Sequence, residues 1–205
     1  MTAITISRQL GSLGDEVAQA VAGRINFRII CRELINQAAL RARVPEMALA
    51  TIDDLGLLGI RPSPQARRAY HQAVQSVMEE EAERGDVIII GRAGQVILHN
   101  YPNVLHVKVM APAHLRAERI SQQQNITLEA ASARIDASDR TRRNYLRRFY
   151  NARWDDPDLY DLILNTERIL PDPAACLICQ AVLFCLQQTQ HASYKTDYNK
   201  ICQSE

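Results

Sequence analysis

No apolar run in this chain approaches the roughly 20 residues that would span a bilayer. Met1 to Arg8 open on a strand-like pattern without the layout of a signal peptide. The expectation is a cytoplasmic protein with no membrane partner. Charge of one sign is lacking as well. Lys and Arg number 24 against 23 Asp and Glu, a formal net charge of +1, so no overall field draws the chain to nucleic acid or anionic lipid. Any anion site must come from local clustering. The cysteines, Cys31, Cys176, Cys179, Cys185 and Cys202, are odd in number, which excludes complete pairing within one chain. Cys176 and Cys179 form a CxxC, but a second ligand pair at zinc spacing is missing. They do not open a helix after a strand, as a redox pair would. Within CLICQAVLFC they read as small hydrophobes on a helix. His71, His99, His106, His114 and His191 show no metal-ligand spacing, and Trp154 with its nearby tyrosines reads as packing. Internal repeats and low-complexity tracts are also lacking.

What remains is an ordinary globular composition: 205 residues, 47% apolar and 23% charged. That suffices for one core-bearing domain and is short for two. Strand and helix patterns alternate. Ala3 to Ser7, Phe27 to Cys31, Asp86 to Gly91, Leu105 to Met110 and Leu159 to Leu164 read as strands. DVIIIG, with four branched apolar residues in a row, is the clearest buried one. Helical spacing covers Asp15 to Ile25, Arg32 to Arg43, Gln65 to Arg84 closed by Gly85, Ala113 to Gln122, a helix N-capped by Thr127, and Pro173 to Gln188. Residues Thr51 to Pro64 read as a loop. The expected fold is α/β: three layers, with a mainly parallel five-stranded sheet covered by helices on both faces. One domain is expected over 1–189, with 190–205 a polar tail. Ligands of such sheets bind at the carboxyl ends of the strands.

The loop Ser7-Arg8-Gln9-Leu10-Gly11-Ser12-Leu13-Gly14 joins the first strand to the first helix. Glycines there, followed by the unpaired amides of a helix start, suit a phosphate. The pattern G-x-x-x-x-G-K-[ST], laid on this loop, places its Lys at Gly14 and its Ser/Thr at Asp15, so both chemical groups are missing. The loop alone is equally compatible with a tight strand–helix turn.

Further segments carry a resemblance. Ile6-Ser7-Arg8, Gly11-Ser12 and Gly14; Cys31-Arg32-Glu33-Leu34-Ile35; Ile90-Gly91-Arg92; Ser138-Asp139-x-x-Arg142-x-x-Tyr145; Phe149-Tyr150; Trp154-Asp155-Asp156-Pro157; Leu159-Tyr160-Asp161-Leu162; and Leu164-Asn165-Thr166 follow in order from about residue 4 to 170. In this series the chain resembles the cytidylate kinase-like family, a branch of the nucleoside monophosphate kinases. The resemblance implies an adenylate-kinase-like P-loop fold with a helical lid over about 120–153. It also implies transfer of phosphate from ATP, with Mg²⁺, to a nucleoside monophosphate of the CMP type. It places Ser7, Arg8, Gly11, Ser12, Gly14, Arg32 and Asp136 at the nucleotide and its phosphates. Arg92, Asp139, Arg140, Arg142 and Arg143 fall at the transferring group.

The residues suit these roles. A guanidinium fork matches two phosphate oxygens. From Arg134 to Arg153 there are seven arginines (134, 140, 142, 143, 147, 148 and 153) against two acids, Asp136 and Asp139. The alternative for Arg92 is a helix-capping surface arginine, and for the Arg-rich stretch a solvated helix face. Leu13 stands where the family has Gly, and Cys31 where it has Asp. Asp15 opposes a phosphate: two unit charges about 4 Å apart repel by roughly 4 kcal/mol at an effective dielectric of 20, a sign that Mg²⁺ between them reverses. Such departures favour a rival of another class, a catalytically silent nucleotide-binding module or sensor. Nucleic-acid binding through the arginine-rich helix is a third option, opposed by the near-neutral charge. No dedicated metal site is expected beyond Mg²⁺ near Asp15, and nothing in the pattern requires or excludes a homo-oligomer.

Overall fold

The computed structural model describes residues 2–31, 41 and 64–185. The expectations for Arg32, for nearly all of the helix over Arg32–Arg43 and of the loop over Thr51–Pro64, and for the tail from 190 lie outside the described residues.

Five strands build one parallel sheet: β1 (Ala3–Arg8), β2 (Arg28–Ile30), β3 (Val87–Ile90), β4 (Val104–Met110) and β5 (Leu162–Asn165), in the order β2-β3-β1-β4-β5. The helices are α1 (Gly14–Ile25), α2 (Pro64–Arg84), α3 (Gly94–Ile97), α4 (Ala113–Gln124), α5 (Leu128–Tyr150) and α6, residues 171–185. Alternation along β1 explains the layers. Ile4 and Ile6 enter a core with Val17 and Val21 of α1 and Ile178 and Val182 of α6. Ala3, out of phase with them, joins Val87, Ile89 and α2 residues Val74, Val77 and Met78 on the other side. Both faces are covered, and the expected three-layer α/β fold is borne out.

Within the described residues, the strand and helix signals of the sequence survive with shifts of a few residues. α2 ends at Arg84, with Gly85 at φ 71° as its left-handed closing residue. Thr127 caps α5 by accepting from the Ala130 amide. The last strand starts later than its apolar pattern suggests. Asp156 caps a short 3₁₀ turn at Pro157–Leu159, and β5 begins only at Leu162. In α6, Cys176 is exposed, whereas Cys179 packs against the core. Among the described residues no helix is long and apolar enough to cross a membrane.

Candidate functional site

β1 ends at Arg8, with β3 beside it and β2 next beyond, so the residues that follow these strands meet at the carboxyl end of the sheet. There they line a cavity of about 610 Å³. Ser7, Arg8 and Leu10 come from the end of β1, Cys31 from the end of β2, and Ile90 to Ala93 from the end of β3. α5 roofs it with Arg134, Ala137, Ser138, Thr141, Arg142, Tyr145 and Leu146, which share one face of the helix by their three- and four-residue spacing. Trp154 closes the remaining wall.

The turn after β3 is strained. Gly91, Arg92 and Ala93 stand consecutively in the left-handed region, at φ 78°, 56° and 59°. A left-handed residue other than glycine costs on the order of 1–3 kcal/mol and gathers where function demands it. Here the strain brings Arg92 to the cavity. Gly94 then packs its backbone on Thr5, whose Cγ2 lies 3.1 Å from where a Cβ would sit.

The loop after β1 is braced from outside. Thr166 Oγ1 donates to the Ser12 carbonyl (2.8 Å), and Arg119 donates to the Gly11 carbonyl (3.2 Å) and the Thr166 carbonyl (2.8 Å). Ser12 Oγ lies 2.8 Å and 3.1 Å from the Gln9 and Val109 carbonyls. Arg8 leaves the end of β1 and donates from Nε to Asp15 Oδ1 at 2.9 Å. Asp15 is therefore paired with a cation of its own loop.

Beneath the cavity runs a buried polar stripe. Lys108 of β4, beside Ser7 in register, donates to the Trp154 carbonyl (3.0 Å) and to Asp155 Oδ1 (2.9 Å). Its ammonium sits 4.9 Å from the centre of the Trp154 ring. Trp154 Nε1 donates to Ser7 Oγ at 2.9 Å. Tyr160 donates to the Trp154 carbonyl at 2.9 Å, and burial pushes its phenol up to about 12, which keeps that proton in place. Arg142 hydrogen-bonds Ser138 and lies over Trp154. Burial first, then the Arg8 guanidinium, push its pKa down. A guanidinium does not shed its proton. Arg142 is thus a poorly solvated cation near a second guanidinium, a repulsion that an anion would relieve.

Of the residues singled out in the sequence, Ser7, Arg8, Arg92 and Arg142 come together at the cavity, while Gly11, Ser12 and Gly14 shape the loop at its edge. Arg140, Arg143 and Asp136 are not brought there; they are exposed on other faces of α5. Asp139, which the resemblance places at the transferring group, is buried and pairs with Arg116 of α4 at 3.0 Å. The same arginine donates to the Ala111 and Leu10 carbonyls. Asp139 thus ties the roof helix, through Arg116, to the loop after β1. Sequence reasoning missed Arg134, Lys108, Gln95 and Tyr160. Two signals were present: Arg134 lies eight residues before Arg142, on the same helix face, and Lys108 interrupts a run of apolar residues on a buried strand. Among the described residues no group of three His, Cys, Asp or Glu gathers to hold a metal.

The model of the cytidylate kinase-like family matches residues 3–168. This chain belongs to that family. It is 25% identical over 167 residues to the cytidylate kinase of Methanocaldococcus jannaschii, covering 80% of this chain and 88% of the relative. It is likewise 25% identical over 179 residues to the cytidylate kinase of Halobacterium salinarum, covering 87% and 88%. Among solved structures, an uncharacterized protein from Eubacterium ventriosum superposes with a TM-score of 0.68 at 18% identity, over 89% of this chain and 98% of that one. Shikimate kinase from Acinetobacter baumannii superposes at 0.50 and 12% identity, over 89% and 93%. These likenesses establish the adenylate-kinase-like P-loop fold of this family member.

Proposed function

We propose that this family member transfers the γ-phosphoryl group of ATP to a nucleoside monophosphate of the cytidylate kind. One observation carries the reading. Three arginines, Arg8, Arg92 and Arg142, line a single cavity at the carboxyl ends of β1 and β3, beside the loop that ends in the α1 amides, with Arg134 at its rim, donating to Gln124 Oε1 at 2.8 Å. Phosphoryl transfer asks little covalent chemistry of a protein; it asks for alignment and positive charge around the moving group. An oxygen of the acceptor's phosphate attacks the γ-phosphorus, and the bond from that phosphorus to the β-bridging oxygen breaks. The products are ADP and a nucleoside diphosphate. Arg92 holds the acceptor phosphate by its fork of donors. Arg142 approaches from the roof, and the low polarity around it strengthens its pull on charge that develops in transit. Mg²⁺ bound with ATP would supply further neutralisation, and the Asp15 oxygen not engaged by Arg8 is the carboxylate oxygen of the loop that would hold it.

The test is a coupled assay for ADP over the common monophosphates. Turnover with CMP is expected, falling about 10²–10³-fold on Arg92→Ala or Arg142→Ala. A second reading, a nucleotide sensor without turnover, is favoured by Leu13 in a left-handed conformation within the loop and by glycine in place of lysine at residue 14. Calorimetric ATP binding with no turnover on any monophosphate decides for it.

A further inference from the structure

Laid on the pattern G-x-x-x-x-G-K-[ST], the first loop departs at each fixed position: Arg8, Leu13, Gly14 and Asp15 stand for Gly, Gly, Lys and Ser/Thr. Two of these departures are one structural event. A Cβ placed on Gly14 would lie 2.4 Å from the Cβ of Arg8 and 2.8 Å from its Cγ, closer than real carbon atoms approach. Residues 8 and 14 therefore cannot both carry side chains in this loop. The cation can stand at 14 with glycine at 8, or at 8 with glycine at 14. This chain has the second arrangement.

We infer that Arg8 supplies to the phosphates of the donor nucleotide the positive charge that a lysine at position 14 would supply. Its side chain crosses from the start of α1 to the turn after β3. Nε is held by Asp15 at 2.9 Å, and one terminal nitrogen lies 3.0 Å from where a Cβ on Gly91 would sit. Gly14 and Gly91 thus both make room for the same side chain. Asp15 takes only Nε, so the planar fork is oriented while its terminal nitrogens make no hydrogen bond among the described residues. Arg8 lines the cavity with Arg92 and Arg142 and is close enough to Arg142 to repel it. A guanidinium so placed reaches donor phosphate from the β1 side of the loop, with Asp15 as its positioning residue. A lysine would act there as a point charge; arginine brings a two-pronged contact.

The inference rests on the kinase reading, and the test separates the two. ATP affinity by calorimetry and turnover with CMP are measured for the full chain and for Arg8→Ala, Arg8→Lys, Arg8→Gly and the double variant Arg8→Gly with Gly14→Lys, each with a thermal melt. Arg8→Ala is expected to lower turnover about 10²–10³-fold and to weaken ATP binding, with Arg8→Lys regaining part of both. The double variant, a lysine loop rebuilt with its cation on the other side, is expected to exceed Arg8→Gly by about tenfold or more. Arg8→Ala within about twofold of the parent in both measurements overturns the assignment. So does a folded double variant that is no better than Arg8→Gly. If the double variant has no cooperative melt, Arg8→Ala and Arg8→Lys decide. If the parent binds ATP without turning over any monophosphate, the kinase reading fails, and ATP affinity in Arg8→Ala alone upholds or overturns Arg8. A parent that binds no ATP overturns both.

Discussion

Leu13 and Gly11 sit two residues apart in the phosphate loop, at φ 58° and 77°, and the same backbone rule gives them opposite consequences. A side chain in the left-handed region costs about 1–2 kcal/mol, and Leu13 bears that cost without joining any core cluster of the described residues. Leu13→Gly is expected to relieve it. The greater freedom of glycine in the unfolded chain takes back about 0.4–1 kcal/mol. A net gain of about 0.5–1 kcal/mol should raise the melting temperature by a few degrees, read by calorimetry. Gly11→Ala should do the reverse. Its Cβ would meet the Arg116 carbonyl oxygen at 2.8 Å as well as take on the left-handed strain, so a loss of at least about 1–2 kcal/mol is expected in urea titration.

At the scale of elements, the link that decides most is between α4 and α5. Arg116 and Asp139 have side chains only 6% and 8% exposed. Removing one partner leaves a buried charge without its counterion, a loss of about 3–5 kcal/mol. Asp139→Ala is therefore expected to lower the urea midpoint strongly. Arg140→Ala, one residue on but on the exposed face of α5, should stay within about 0.5 kcal/mol of the parent. Equal effects of the two substitutions would show that the helix is rotated from the arrangement described. Arg116 also reaches the Leu10 carbonyl, so weakening the pair should loosen the phosphate loop and raise the KM for ATP.

For the whole molecule, stability should depend on pH through the centre of the sheet. His106 of β4 is buried, with Nδ1 2.7 Å from Thr5 Oγ1 of β1. Burial pushes its pKa down; Asp161 opposes this and the neighbouring His99 adds to it. The folded state thus resists a proton that the unfolded chain accepts near pH about 6.5. Stability is complete above that pH and falls as pH drops below it toward the folded value, levelling off beneath. Urea midpoints between pH 7.5 and 5 should show this decline, and His106→Gln should flatten it.

Much of the architecture was legible in the chain itself. Runs such as Val87 to Ile90 announce a strand buried on both faces, and the spacing from Val17 to Ile25 a helix with one apolar side. Thr127 and Gly85 mark helix ends by local hydrogen bonding and backbone freedom, which need no distant partner. The ordered series of short motifs, from the first loop to Leu164-Asn165-Thr166, carried the family. Only the tertiary structure chose among the arginines. Their count is a property of composition, but which of them meet depends on how α5 is rotated against the sheet. Arg142 faces the cavity and Arg134 its rim, whereas Arg140 and Arg143 lie on other faces of the helix. The pairing of Asp139 with Arg116, 23 positions earlier, and the contact of Arg8 with Gly14 across the turn arise the same way. Local spacing sets what a segment can form, and packing between segments sets what its side chains touch.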